Sequence, residues 1–274
     1  MSKLQKALIF LSLCVFLAAN AQAGQLSLKF NLGGTYLMGG DYNKTMDGWR
    51  DYELTVLGPS ETFVDNLKKL GLGYQVGAEV LYELSPSLAA GIEIGYLRAS
   101  VTSWFSRTWH NYKLTLTPTL SAVPVMLNIH YFMPLGGALK LHGTAGLGIL
   151  ISHLNMDYAI EDTFTPYNGT WIPKDKIAFG AKAGVGIEYG LTDTIALTFD
   201  VLGRYAQISD LTGEYSGTFD GSPYSGTATG FVYDVAGLYP IFIMYETMPS
   251  YPNIRPATFG LGGLSALFGV RINI

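Results

Sequence analysis

Apolar residues return at every second position in several stretches of this chain. Leu72, Tyr74, Val76, Ala78, Val80, Tyr82 and Leu84 make one such series. Gly73, Gln75, Gly77, Glu79 and Glu83 fill the positions between them. A period of two is the signature of a β-strand, whose side chains alternate between two faces. In a soluble sheet the polar face meets bulk water and carries many charges. Here that face is mostly glycine with an occasional charge, which suits a narrow, closely packed interior. The apolar face is then left to look at lipid, the arrangement of a transmembrane β-barrel.

Eight strands are predicted on this basis, at about Gln25–Met38, Leu72–Leu84, Leu88–Val101, Leu114–Phe132, Leu139–Ile151, Ile177–Leu191, Ile195–Ile208 and Thr258–Ile274. The fold class is all-β, an eight-stranded antiparallel barrel. In the fourth strand the apolar series changes parity, from Leu116 and Leu120 to Val123, Val125, Leu127, Ile129 and Tyr131. A slip of one residue exchanges the two faces, so a β-bulge is expected near Ala122-Val123, where Pro124 is also tolerated. The connections alternate between tight turns (Ser85-Pro86-Ser87, Pro134 to Ala138, Thr192-Asp193-Thr194) and long segments (39–71, 102–113, 152–176 and 209–257). Short turns on one side of the membrane and long loops on the other are usual for outer-membrane barrels. Within the last segment Phe231 to Tyr245 is strongly apolar, and a ten-stranded barrel is the alternative. Ser60 and Glu61, ahead of Phe63, Val64, Leu67 and Leu70, predict an N-cap and a short amphipathic helix.

Residues 1–23 read as a cleavable signal peptide: Lys3 and Lys6, an apolar stretch from Ala7 to Ala19, and Ala21-Gln22-Ala23 before Gly24. The apolar stretch is shorter than the roughly 20 residues of a membrane anchor. Residues 24–274 are then one barrel domain. The single cysteine, Cys14, falls in the leader, so disulfides and thiolate chemistry are excluded from the mature chain. Without Lys3 and Lys6 the 17 basic residues fall to 15 against 21 acidic ones, a net charge of −6. No basic patch is present, which argues against nucleic acid as a partner.

Strand parity turns Lys29, Glu79, Glu83, Glu93, Lys140, Lys182, Glu188, Asp200, Arg204 and Arg271 toward the lumen, five of each sign. Isolated charges are costly there, so the equality predicts a paired network that plugs the tube, with a gated ion path as the alternative. His130 and His142 face the same way. Tyr82, Tyr131 and Tyr189 near the short turns, and Tyr36, Tyr96 and Tyr205 near the long connections, predict two aromatic belts. In the last connection Tyr224, Phe231, Tyr239, Phe242 and Tyr245 are candidates for contact with a surface partner, or else pack on neighbouring loops. No G-x-S-x-G, H-E-x-x-H or phosphate-loop motif is present, and no cofactor or metal site is predicted.

Val123-Pro124-Val125-Met126-Leu127-Asn128-Ile129-His130-Tyr131-Phe132, Gly143-Thr144-Ala145-Gly146-Leu147-Gly148, and Gly184 to Asp193 resemble the fourth to sixth strands of the outer-membrane β-barrel domain family. That family includes opacity-type proteins, the membrane part of outer-membrane protein A, and outer-membrane protein W. The resemblance implies a cell outer membrane location, contact with outer-membrane lipid and lipopolysaccharide, and insertion by the barrel-assembly machinery. The chain departs from many such barrels in ending Arg271-Ile272-Asn273-Ile274 rather than in an aromatic residue. Lipid A deacylase barrels in this class carry His-x-Ser on a lipid-facing strand. His153 is followed two places on by Asn155, so that motif is broken. The function expected is structural, or surface interaction through the long loops. A narrow conduit for small or hydrophobic solutes is the alternative, and a lipid-modifying enzyme a remoter one.

Overall fold

The computed structural model describes residues 25–56, 61–163, 166–235, 239–247 and 253–274. The expected signal peptide and Ser60 lie outside the described residues. Sixteen strands and one long helix follow in order: β1 Leu26–Leu37, α1 Asp41–Val56, β2 Phe63–Asn66, β3 Leu72–Ser85, β4 Leu88–Ser100, β5 Ser103–Arg107, β6 Tyr112–Gly136, β7 Leu139–Glu161, β8 Tyr167–Pro173, β9 Lys176–Gly190, β10 Ile195–Ile208, β11 Thr212–Phe219, β12 Ser222–Val235, β13 Tyr239–Tyr245, β14 Ile254–Pro256, β15 Phe259–Gly260 and β16 Gly263–Asn273.

Antiparallel pairings run β1–β3–β4–β6–β7–β9–β10–β16 and return from β16 to β1. This cycle leaves no open edge, so its backbone groups are satisfied without water. The other strands lie beyond its long-connection end. There β8, β11, β12 and β13 extend outward from β7, and β5 and β2 from β6. Among the described residues the strand count is therefore sixteen rather than eight or ten. Segments expected as loops are paired strands, because their backbone also seeks ladder partners once β6 and β7 offer an edge. Phe231 to Tyr245 does form strands, β12 and β13, but they pair with each other and stay out of the cycle.

The expected bulge at Ala122-Val123 is absent. The register of β6 against β7 runs unbroken through Ala122↔Ser152 and Val123↔Ile151, and that against β4 through Leu97↔Ala122 and Ile94↔Val125. One face of β6 stays inside throughout: Leu114, Leu116, Leu120, Ala122, Met126, Asn128, His130 and Phe132 are all buried. What changes is the surroundings. Below Ala122 the outward residues are Val123, Val125, Leu127, Ile129 and Tyr131; above it they are Thr115, Thr117, Thr119 and Ser121. The same reversal occurs in β7, where Leu147, Ile149 and Ile151 face outward below His153, Asn155 and Asp157. It also occurs in β4, where Ile92, Ile94 and Tyr96 precede Arg98 and Ser100. The register puts Arg98, Ser121 and His153 in one row. Register irregularities appear instead at the short turns, at Glu83/Ser85 and Pro134/Gly136.

The strands thus pass through two storeys. In the lower one the interior is polar and the exterior apolar. In the upper one the interior is apolar and the exterior rich in Thr and Ser, as in a soluble protein. Leu37, Leu97, Leu120, Leu150, Leu154, Phe259 and Leu261 are fully or nearly fully buried at and above the transition. Trp171, also fully buried, donates its indole N–H to the Ala228 carbonyl at 3.2 Å.

Helix α1 packs chiefly on β13. The helix of the segment 39–71 is α1, over Asp41–Val56; the short helix expected after Ser60 and Glu61 does not form among the described residues, and Phe63–Asn66 is the edge strand β2. Gly39 and Gly40, at φ +65° and +61°, turn the chain into α1 in a backbone region open to glycine. Its hold is polar at the start and apolar beneath. The Asp41 carboxylate accepts from Arg255 (2.6 and 2.9 Å) and from the amide and hydroxyl of Thr258 (2.9 and 2.7 Å). Asn43 brackets the backbone of Leu70, accepting from its N–H at 2.7 Å and donating to its carbonyl at 2.8 Å. Tyr42 and Met46 enter the core. Arg50 pairs with Asp65 of β2 at 2.7 Å, and Arg107 of β5 with Glu53 at 3.1 Å.

Burial by itself would push the Asp41 carboxyl up, but the bonds from Arg255 and Thr258 outweigh it and hold the group at about 2. A lowered carboxylate stabilises the fold above its unfolded value of 3.8, and that contribution is lost as pH falls through about 2. Acidification across this window is expected to loosen the start of α1. Amide exchange corrected for intrinsic rate should show protection of α1 falling between pH 4 and pH 2, with the fall diminished in Asp41→Asn.

Candidate functional site

The lower storey brings distant charges together because period-two alternation points them all at one axis. At its short-turn end Arg271 is buried and donates to Glu188 at 3.2 Å, to Ser27 Oγ at 3.0 Å, and to Glu83. Its guanidinium lies 5.0 Å over the Phe132 ring. Lys140 approaches Glu188 at 3.6 Å from a half-exposed position at the mouth.

One level up are two His–carboxylate pairs. His142 Nε2 is 2.7 Å from Asp200, whose carboxylate also binds Lys29 Nζ at 2.8 Å. His130 Nε2 is 2.8 Å from Glu79, and its Nδ1 is 2.9 Å from the Thr144 hydroxyl. Asn128 donates to Glu79 at 2.5 Å and to Glu93 at 3.0 Å, and Lys182 binds Glu93. Glycine makes the crowding possible. A Cβ at Gly186 would sit 2.6 Å from His142 Nε2 and 2.7 Å from Asp200 Oδ1.

Arg204 lies higher. It donates to Gln75 Oε1 at 3.0 Å, to the Leu261 carbonyl at 3.2 Å and to Thr35 Oγ1 at 3.4 Å, and has no carboxylate partner among the described residues. The parity reading grouped it with the paired charges. Neutral acceptors take that place, while Lys182, cross-strand from Arg204, takes the Glu93 carboxylate. The two histidines complete the network, and parity had already turned both inward. Of the room left among Lys29, Asn31, Glu79, Glu93, His130, Thr144, Lys182 and Asp200, only about 10 Å³ remains open. That is the space of a single water molecule.

The aromatic residues of the last long connection do different things. Phe231 and Phe242 are 4 % and 8 % exposed and belong to the upper core, where Phe242 lies against Trp171 with ring centroids 5.8 Å apart. As candidates for partner contact these two are corrected, because both are buried: the register sets Phe242 beside Val232 on the core face and Phe231 on the opposite face of the β12–β13 pair. Tyr239 bonds the Thr55 hydroxyl of α1 at 3.0 Å. Tyr224 is half-buried, stacked on Tyr167 at 4.8 Å with its hydroxyl 2.5 Å from that of Tyr158. Tyr245 and Phe219 are exposed. The aromatic belts take up outward positions: Tyr131, Tyr189, Tyr36 and Tyr205 are exposed, and Tyr82 and Tyr96 partly so.

No catalytic arrangement forms around His153. Its Nδ1 is 2.8 Å from Asp175 on the outside, whereas Ser152 points inward and donates to the Lys176 carbonyl at 2.9 Å. Adjacent strand residues cannot share a face. Among the described residues no cluster of three or more His, Cys, Asp and Glu has the geometry to hold a metal ion.

Residues 8–222 match the model of the outer membrane protein β-barrel domain. The chain belongs to that family. Among solved structures, a major outer membrane protein from Thermus thermophilus is similar at 15 % identity and a TM-score of 0.45, over 92 % of this chain and 100 % of that one. OprG from Pseudomonas aeruginosa is similar at 13 % identity and a TM-score of 0.39, over 92 % and 97 %. The outer membrane protease OmpT from Escherichia coli follows at 6 % identity and a TM-score of 0.37, over 93 % and 99 %. No curated protein matches the sequence. As a member of the outer membrane β-barrel family the protein resides in the outer membrane, crossing it with strands; among the described residues no helix is long and apolar enough to do so.

Proposed function

We propose that the closed eight-strand cycle is the membrane-spanning barrel, that its lumen is a structural plug, and that the upper storey is a rigid platform for interaction at the cell surface. The space of about 10 Å³ left at the level of the two His–carboxylate pairs carries this reading. A hydrated ion needs a continuous open path, and the apolar layer around Leu97, Leu120, Leu150 and Leu154 lies across the way out. The short turns then face the periplasm and the long strands the exterior. The upper storey has a packed core of its own, so it holds a fixed shape rather than a set of loose loops. Its exposed rim includes Phe219 and Tyr245, with the half-buried Tyr224 beside them. The opposite directions of Ser152 and His153 speak against hydrolysis at that place.

The refolded protein in a planar bilayer is expected to give no steady conductance steps. Reproducible steps in the wild type, altered by Asp200→Asn, would sink the plug and make the charges the lining of a path.

A further inference from the structure

Beyond the core of the upper storey, β7, β8, β11 and β12 carry one aromatic face out to the rim. The register sets Trp171, Tyr215 and Gly226 in one row, Tyr158, Gly169, Gly217 and Tyr224 in the next, and Tyr167, Phe219 and Ser222 in the last. Alternation keeps all three rows on the face of the buried Trp171. The tyrosines lean across neighbouring strands because glycine leaves them room. A Cβ at Gly226 would meet Tyr215 Oη at 2.6 Å, and one at Gly169 would meet Tyr224 Oη at 2.6 Å and Tyr158 Oη at 2.7 Å. The rings also hold one another: Tyr167 is stacked on Tyr158 and on Tyr224, and Tyr215 lies 5.5 Å from Tyr224. Phe219 is exposed, and Tyr167, Tyr215 and Tyr224 are half-buried.

The charge of this region has one sign. Between Arg204 and Arg255 the chain has five acidic residues, Asp210, Glu214, Asp220, Asp234 and Glu246, and no Lys or Arg. Glu246 stands beside the rings, accepting from the Tyr215 hydroxyl at 2.8 Å, and Asp220 follows Phe219 at the β11–β12 turn. Both are exposed, and neither has an ion-pair partner among the described residues. The acids of α1 differ: Asp41, Asp47 and Glu53 each hold a cation. A face of this kind repels anions, whereas a cation gains from the carboxylates and from the negative faces of the rings together. Arginine suits it better than lysine, because a planar guanidinium stacks on a ring and offers its fork of donors to a carboxylate at the same time.

We infer that this aromatic face is a docking surface for an arginine-bearing, cationic peptide segment of a partner protein, with one guanidinium on the ring of Tyr215 and paired to Glu246. The inference rests on the upper storey being a rigid platform at the cell surface, and it names the chemistry of what that platform binds. Charge complementarity selects the occupant. The row of Trp171 and the glycine-seated rings set the geometry in advance, so little ordering is left for the moment of binding.

The test is fluorescence anisotropy of labelled peptides with the refolded full-length protein in phosphatidylcholine nanodiscs, whose surface has no net charge. The probes are alternating glycine–arginine, glycine–lysine and glycine–glutamate peptides and a decaproline. The arginine peptide is expected to bind, the lysine peptide more weakly, and the other two not at all. Glu246→Gln and Tyr215→Leu should each weaken the arginine peptide about tenfold, the size of one lost charge-assisted or stacking contact. Asp51→Asn, an exposed acid on α1, should leave binding unchanged. Equal binding by Glu246→Gln, or an equal loss in Asp51→Asn, overturns the assignment to this face. Lysine held as tightly as arginine overturns the stacking, and retention of the glutamate peptide or decaproline overturns the cationic partner. Amide exchange on the same samples separates the two levels of the argument. Protected β8, β11 and β12 without peptide binding leave the platform standing and overturn its cationic partner; unprotected strands there overturn the platform and this inference with it.

Discussion

Arg271→Ala is expected to lower the stability of the folded barrel by about 3–5 kcal/mol, the usual cost of removing one partner from a buried charge network. Arg271 is 2 % exposed and is the shared partner of Glu83 and Glu188. Its removal leaves two carboxylates facing each other at the short-turn end, with only the half-exposed Lys140, 3.6 Å from Glu188, to offset them. It also strips the cation from the face of Phe132. Urea unfolding of the micelle-bound protein, followed by gel mobility and tryptophan fluorescence, measures the change. Glu188→Gln added to Arg271→Ala should recover part of the loss, because it removes one of the stranded charges. A change below about 1 kcal/mol in the single variant would mean that water or lipid headgroups solvate the acids, and that the network does not hold the barrel together.

The second large effect concerns depth. Leu127 and Thr117 both point outward from β6, in the lower and upper storeys. Leu127→Arg is expected to cost about 2–4 kcal/mol, the penalty of a cation on the lipid face near the bilayer midplane, whereas Thr117→Arg should cost about 0–1 kcal/mol. Thr117 lies across from Asp157, so the new guanidinium even gains a neighbour of opposite sign. The same unfolding measurement in lipid bilayers decides. Equal costs at the two sites would show that no membrane boundary lies between them. The pair also tests the meaning of the parity change in β6, for a bulge would have put Thr117 and Leu127 on opposite faces.

The alternation was legible from residue order because side-chain direction in a strand depends on nothing beyond the neighbouring peptide. That property selected the inward residues of the cycle, from Lys29 in β1 to Arg271 in β16, and the outward tyrosines. It also raised the expectation of a charge-paired interior. The same local rule failed at Ala122-Val123, where apolar residues exchange faces while the strand does not. A hydrophobic pattern records which face is dry, and the dry face is the outer one in lipid and the inner one above it. Helix α1 escaped notice because Asn43, Thr45 and Gly48 are weak helix formers; its stability comes from the Asp41 clamp and from packing on β13.

Residue order alone therefore determined that this is a strand-built, inside-out protein of the outer membrane type, with its charges gathered in the lumen. The tertiary structure decided which charges meet. Lys29 and Asp200 stand 171 positions apart in the chain, and His142 reaches the same carboxylate from a third strand. It also decided that the long connections build a second storey with a core of its own. Pairing partners and enclosure depend on the register and closure of the whole sheet, and no stretch of ten residues carries that information.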